Sequence, residues 1–391
     1  MGFHSPMPPA RTGVADYSAA LIRAVRAHEP AFAGRLSVNP AADCDVEVYH
    51  SGNNPMHGAI HARALRRPGV VILHDAVLHH YHLGAALNEA AYSDTFVANY
   101  GEWYRGLAAT LWRRRAQSGA DPEYFRYPML RGIVDSALRV VVHNRAAERA
   151  ALQHGADVSR VSLMPHLFEA PPLVDAWRVF RARERFGAAA LVCGVFGHLR
   201  ESKRLIPVIQ AVEAVRARGL DVRLVVAGAF ASGDLERASE SWLRREWILR
   251  LPYLEEREFW LWAHAVDVCV NLRYPAAGET SGIGVRLMGI GKTVIVTAGE
   301  ETSGIPRLAC VRVDGGLAER EMLEASLLWL AREPARARAM GEAARRYVES
   351  HHGAALVARR FRELVEQTGR DERRNEKRMV EGRRDAGAGQ R

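Results

Sequence analysis

The stretch VCVNLRYPAAGETSGIGVRLMGIGKTVIVT, residues 268–297, decides how the rest of the chain is understood. Residues 268–272 are apolar enough for a short buried strand, and 273–282 are polar and glycine-rich. Apolar residues at helical spacing occupy 283–290, Gly291 is a helix-ending residue, and 294–296 make a second strand. Gly278, Glu279, Thr280, Ser281 and Gly282 therefore stand at the mouth of a helix. Backbone N–H groups are unpaired there and face an incoming anion, and small residues let a ligand come close to the backbone. A polyoxygenated, phosphate-bearing ligand suits such a place. The neighbouring GIGKT is not a nucleotide-triphosphate loop, because the first glycine of that motif falls at Arg286 and Gly291-Lys292-Thr293 closes a helix instead of opening one.

Working outward, strand-like segments recur at 47–50, 70–73, 140–142, 161–164, 191–196 and 222–227, with helical or loop stretches between them. Helices are expected at 14–27, 85–116, 235–245, 256–265, 319–330 and 335–367, and the loop 197–203 leads to another through residue 218. Strands that alternate with helices imply parallel sheets covered on both faces. At 391 residues the chain is long enough for two such domains. The proline-punctuated segment 165–172 marks the crossing, which gives domains of 1–168 and 169–368, with the final helix a candidate to pack back on the first domain. Only residues 1–4 precede the loop 5–13, so the first strand is truncated or the chain has been called from an internal start. From residue 369 the sequence is charged and poor in large apolar residues, so a disordered tail is expected over 369–391. ETSGI occurs at 279–283 and again at 301–305, with nothing similar around the second copy to suggest a repeat.

The formal charge of +9 favours anionic partners. It does not choose between nucleotide diphosphates, an anionic membrane surface and nucleic acid, and a GC-rich genome produces the same arginine-rich composition. Cys44, Cys193, Cys269 and Cys310 are widely spaced, which suits free thiols in a reducing cytoplasm. No apolar run reaches the roughly 18 residues of a membrane span, and the expected location is cytoplasmic. Trp112 beside Arg113–Arg115 suggests peripheral contact with anionic headgroups, although a solvated helix face explains the same residues. His79, His80 and Asp75, with His50 and His57, have no metal-ligand spacing. Nucleic-acid binding lacks an aromatic-plus-basic motif.

Taken in order, the glycine-bearing N-terminal loop, the His74-Asp75 strand end, the 161–166 crossing, the 197–203 loop, GETSG and the terminal ARAMGEAARRYVES resemble glycosyltransferase family 4 over residues 3–368. The resemblance implies the GT-B fold, two doubly wound Rossmann-like α/β domains facing across a cleft, and retaining transfer from a nucleotide-sugar donor without a metal or other cofactor. It places Lys203 on the donor diphosphate, where a compact cation offsets leaving-group charge. His198 stands where the family has arginine, with Arg204 or Arg200 as substitutes. Glu279 matches the first glutamate of the family signature, which touches donor sugar hydroxyls. The second, which grips the nucleotide ribose in relatives, is replaced by Arg286, which is left to act on phosphate or to pair with Glu279. Thr12 and Gly13 match the loop whose backbone nears the diphosphate. His74 matches the histidine against the donor sugar, and His143, Asn144 and His166 are candidate lining residues.

The implied reaction moves a sugar from a nucleoside diphosphate to a hydroxyl of a glycan, lipid or small-molecule acceptor, in polysaccharide, glycolipid or glycoconjugate synthesis. A non-catalytic sugar-nucleotide or glycan binding protein is the alternative, suggested by Arg286 and His198.

Overall fold

The computed structural model describes residues 1–187, 189 and 191–388, with side chains as far as residue 374. Two six-stranded sheets are present, each parallel throughout. In the first, β1 (Gly2–His4), β2 (Ser37–Val38), β3 (Glu47–Ser51), β4 (Val70–Leu73), β5 (Arg139–Val142) and β6 (Val161–Leu163) lie in the order β2-β1-β3-β4-β5-β6. In the second, β7 (Leu191–Phe196), β8 (Val222–Ala227), β9 (Ile248–Leu251), β10 (Val268–Asn271), β11 (Thr293–Ala298) and β12 (Val311–Asp314) lie in the order β12-β11-β10-β7-β8-β9. The inner strands are buried at every residue in β4 and β7, as both faces of a parallel sheet demand.

The order of the second sheet places a topological switch between β7 and β10, from which the chain winds outward in opposite directions. Ligands of open parallel sheets bind beyond the carboxyl ends of the strands at such a point. Gly197 follows β7 there, and Leu272-Arg273 follow β10.

After the helix Pro334–His351 the chain returns to the first domain. Phe168 donates its N–H to the His352 carbonyl (2.8 Å), and His352 Nδ1 lies 2.6 Å from the His166 carbonyl. The helix Ala354–Ala388 then inserts Val357, Phe361 and Leu364 among Phe3, Leu21 and Phe32, so the last helix completes the first domain's core. The second domain is thereby tied to the first through a helix whose apolar face is buried in the first domain's core.

Several expectations change. The 85–116 helix is two, Glu89–Tyr100 and Arg105–Arg114, interrupted at Gly101 with φ +98. The 335–367 helix breaks at the return to the first domain. Strands β9 and β12 were not anticipated because they are edge strands, ILRL and VRVD, whose arginines interrupt the apolar run. The tail expected to be disordered continues the last helix to Ala388, and residues 389–391 lie outside the described residues. Scarcity of apolar residues argued for disorder, but arginine, glutamate, lysine and alanine are strong helix formers, and Arg139 anchors the segment through Asp371 (3.3 Å).

Candidate functional site

The two domains meet through the segments that follow the carboxyl ends of β4 and β10. The N–H groups of Ala76 and Val77 both donate to the Ala277 carbonyl, at 2.8 and 3.0 Å. Asn144 caps the helix Arg145–Gln153 through Oδ1, while its Nδ2 donates to the Gly278 carbonyl and to Thr280 Oγ1, each at 2.9 Å. Gly278 has φ +70, and a Cβ there would lie 2.6 Å from the Ala76 Cβ. A side chain is therefore excluded by backbone strain and by the facing domain together. Gly278→Ala is expected to lower the thermal midpoint by a few degrees, from about 1–2 kcal/mol of strain, and to enlarge the radius of gyration as the domains part. Unchanged values of both in scattering and melting experiments would remove Gly278 from the contact.

The second-domain wall is cationic. Arg273 follows β10 and is turned back toward the helix Gly282–Gly289. Its Nε lies 3.2 Å from Glu279 Oε1, one terminal nitrogen donates to Ser281 Oγ (3.2 Å) and the other to its neighbouring Leu272 carbonyl (2.9 Å). Ser281 is the helix N-cap, accepting from the Gly284 N–H (3.2 Å) and donating to Asn271 Oδ1 (3.1 Å). No chain acceptor among the described residues takes the Gly282 N–H or the Ile283 N–H.

Lys203 is only 7% exposed and its amine donates to the Phe196 carbonyl beneath Gly197. A Cβ at Gly197, whose φ is +84, would come within 3.2 Å of that amine. Burial, reinforced by the positive charge of Arg273, holds the Lys203 pKa well below the usual lysine value. Arg273 is lowered by burial too, with Glu279 acting in the opposite direction.

Asp75 faces this wall from the first domain. Its Oδ2 accepts the Asn53 N–H at 2.7 Å. Burial, and then the negative charge of Glu279, raise its pKa to about 6.

Behind Asp75 lies a histidine cluster. His50 and His74 stack at 5.1 Å with Nδ1 of the first 2.9 Å from Nε2 of the second. His74 is 4.8 Å from Tyr17 edge-on, and Tyr17 also touches His143 (5.3 Å) and His166 (4.8 Å). His166 abuts Gly282 across the cleft. Burial holds His50 and His74 well below the usual histidine range and His143 at about 4. Tyr17 Oη, His50 Nε2 and His143 Nε2 have no hydrogen-bond partner among the described residues.

Of the residues singled out in the sequence, Lys203, Glu279, Thr280, Ser281, Gly282, Gly278 and His74 come together at the cleft. Gly13 begins the helix Gly13–His28 behind its Thr12 cap and faces open space. The other three are turned to different partners. His198 Nε2 lies 3.1 Å from the Arg11 carbonyl, in a contact between domains that also stacks Arg11 over Tyr253 (4.9 Å). Arg204 pairs with the buried Glu319 carboxylate at 2.6 Å. Arg286 does not pair with Glu279: one turn into its helix, it lies over Phe259 (4.0 Å) and Trp260 (4.4 Å) and binds Glu256 (2.5 Å). Glu279 precedes that helix, so helical spacing never applied to the pair.

Arg273 and Asp75 are the important site residues that motif comparison passed over, whereas Asn144, a candidate lining residue, does reach across to Gly278 and Thr280. Position at a strand's carboxyl end was the available signal for Arg273 and Asp75. Arg115 stacks on Trp112 (4.2 Å) and Arg114 pairs with Asp121 (3.0 Å), whereas Trp103 is fully solvent-exposed. Among the described residues no helix is long and apolar enough to cross a membrane, and no group of three or more His, Cys, Asp or Glu side chains is placed to hold a metal ion.

The chain has the GT-B fold. It matches no protein-family model and no curated protein. Among solved structures, Anabaena HepE in complex with UDP-glucose superposes with a TM-score of 0.63 at 15% identity, over 94% of this chain and 99% of that one. WaaG, a glycosyltransferase involved in lipopolysaccharide biosynthesis, gives 0.57 at 13% identity over 93% and 99%. Sucrose-phosphate synthase from Thermosynechococcus elongatus gives 0.55 at 14% identity over 82% and 73%.

Proposed function

We propose that this chain is a glycosyltransferase of the family 4 type, moving a sugar from a nucleoside diphosphate to an acceptor hydroxyl with retention of anomeric configuration. The observation that carries the proposal is the convergence of Lys203, Arg273 and Glu279 on the mouth of the Gly282–Gly289 helix, at the switch point of the second sheet. HepE in the same fold is seen with UDP-glucose.

In this reading the diphosphate lies against the cations and the free helix amides, and Glu279 holds sugar hydroxyls. The acceptor approaches from the side of His74 and Asp75. The buried neutral imidazoles offer hydrogen bonds to hydroxyls without adding charge. Catalysis is then placement together with stabilisation of the departing diphosphate, strengthened as closing domains exclude water. Side-chain cations meet the leaving-group charge, and we assign no metal or other cofactor to the step, so turnover is expected to survive exhaustive chelation with EDTA.

A thermal-shift screen of nucleoside diphosphates and nucleotide sugars tests the binding half of the proposal, because a ligand that binds only the folded state raises its midpoint. Glu279→Ala is then expected to cut transfer or donor hydrolysis by about 100-fold or more, the scale of losing one stabilising contact in a transition state. Wild-type turnover in that variant would end the assignment. The arginine at position 286 and the engagement of His198 by Arg11 favour one other reading, a sugar-nucleotide binding protein. Calorimetric binding without turnover on any donor or acceptor is its signature.

A further inference from the structure

We propose that Arg273, and not His198, is the second cation that holds the diphosphate, and that Glu279, which pairs with it, gives way when the incoming diphosphate displaces the carboxylate. The inference rests on the donor-binding reading above and adds a residue and an exchange to it.

Charge placement points this way. A guanidinium at a helix N-terminus sits at the positive end of the helix dipole, an arrangement that calls for an anion between them. Here Arg273 reaches the N-cap Ser281 itself. Among the described residues Lys203, which lies nearby, has no carboxylate paired to it, and the Arg200 side chain, exposed at the same loop, has no hydrogen bond or ion pair. Against these cations stand Glu279 and Asp75, and Asp75 is the less ionised for its burial beside Glu279. Three basic side chains thus face two carboxylates, and the imbalance favours an anion between them.

The Glu279 contact is made for exchange. Only Nε of Arg273 meets the carboxylate, at 3.2 Å, instead of the two parallel bonds of a fork-to-fork pair. The other carboxylate oxygen is held by the Ala277 N–H at 2.8 Å, within its own loop. Phosphate oxygens offer Arg273 the planar two-point partner that Glu279 does not. Released from Arg273, the carboxylate is free to accept hydrogen bonds from the sugar carried on that diphosphate, so filling the phosphate site prepares the sugar site.

The other cations are committed. Arg204 is tied to the buried Glu319 and Arg286 to Glu256. His198 is held at the Arg11 carbonyl, and its pKa is lowered by burial, so the position that carries arginine in the resembled family serves here as a latch between domains.

Isothermal titration calorimetry decides the matter, using inorganic pyrophosphate and whichever of UDP, GDP and ADP gives the largest thermal shift. Arg273→Gln is expected to weaken binding by roughly 100-fold, as for loss of charged hydrogen bonds, and His198→Ala by less than about 3-fold. Glu279→Gln is expected to bind both probes about 3- to 10-fold more tightly, since a neutral amide competes less for Arg273, while sugar transfer falls. Arg273→Lys keeps the charge but loses the fork, and serves if the glutamine variant does not fold; its affinity is expected between the two. Wild-type affinity in Arg273→Gln, an equal loss in His198→Ala, or weaker binding in Glu279→Gln overturns the inference while leaving the donor-binding reading intact. A wild-type protein silent toward every diphosphate overturns both.

Discussion

Acidification from pH 7.5 to pH 5.5 is expected to remove at least about 4 kcal/mol from the stability of the first domain, enough to bring an ordinary domain near its unfolding threshold. The cause is the first domain's buried histidines, His50, His74 and His143 joined by His61, His79, His82 and His166, with burial as the first reason for the lowered pKa of each. In the unfolded chain each takes up a proton near the ordinary histidine pKa, whereas in the folded chain each stays neutral across this window. The unfolded state therefore binds more protons as pH falls below about 6.5, and stability declines with it. Each group contributes about 1.4 kcal/mol over the interval. Urea midpoints measured from pH 7.5 to 5.5 check this, and His143→Gln is expected to flatten the slope by one histidine's share. A midpoint that does not move over that range would show the cluster to be hydrated or paired.

Replacing Lys203 by methionine is expected to stabilise the protein while removing nucleoside-diphosphate binding. Methionine keeps the length and apolar stem of lysine without the charge. The amine is buried, bonded to the Phe196 carbonyl and paired with no carboxylate among the described residues, and its pKa is depressed first by burial and then by Arg273. A basic group with a depressed folded pKa leaves the unfolded state holding the extra proton between the two pKa values, so the native protein gains stability as pH rises through that window. The benefit of Lys203→Met is accordingly largest at neutral pH and shrinks in alkali. About 2 kcal/mol is a reasonable scale for relieving a buried uncompensated ion, or roughly 4–8 °C in a domain of this size. Binding of the diphosphate is expected to fall by about 100-fold in the same variant. A lower melting temperature would show that Lys203 is structurally necessary, and unaltered nucleotide affinity would take it out of the site. Stability gained at the expense of binding is the pattern of a charge kept for its ligand.

The architecture was plain in the sequence where the chain is buried on both sides. Residues 70–73 and 191–196 are continuous apolar runs because central parallel strands have no solvent face, and they appear in the structure with those bounds. The helix mouth at Gly278 to Gly282 was equally plain, since glycine and an N-cap serine between a strand and an apolar helix leave little choice of backbone. Edge strands β9 and β12 were hidden by the arginines that a half-exposed strand tolerates. In the charged tail, local helix propensity outweighed the lack of apolar surface.

What sequence alone determined, then, is the pair of parallel-sheet domains and the anion-ready loop, both consequences of local burial pattern and backbone preference. Which side chains meet at the site was decided only by the tertiary structure. Glu279 joins Arg273 instead of Arg286, His198 turns to Arg11, and Asp75 comes to face Glu279 from the other domain. Those pairings depend on how two sheets dock through Ala76 and Ala277 and on a last helix that returns to the first core. Contacts between residues about 200 positions apart leave no trace in the spacing of either.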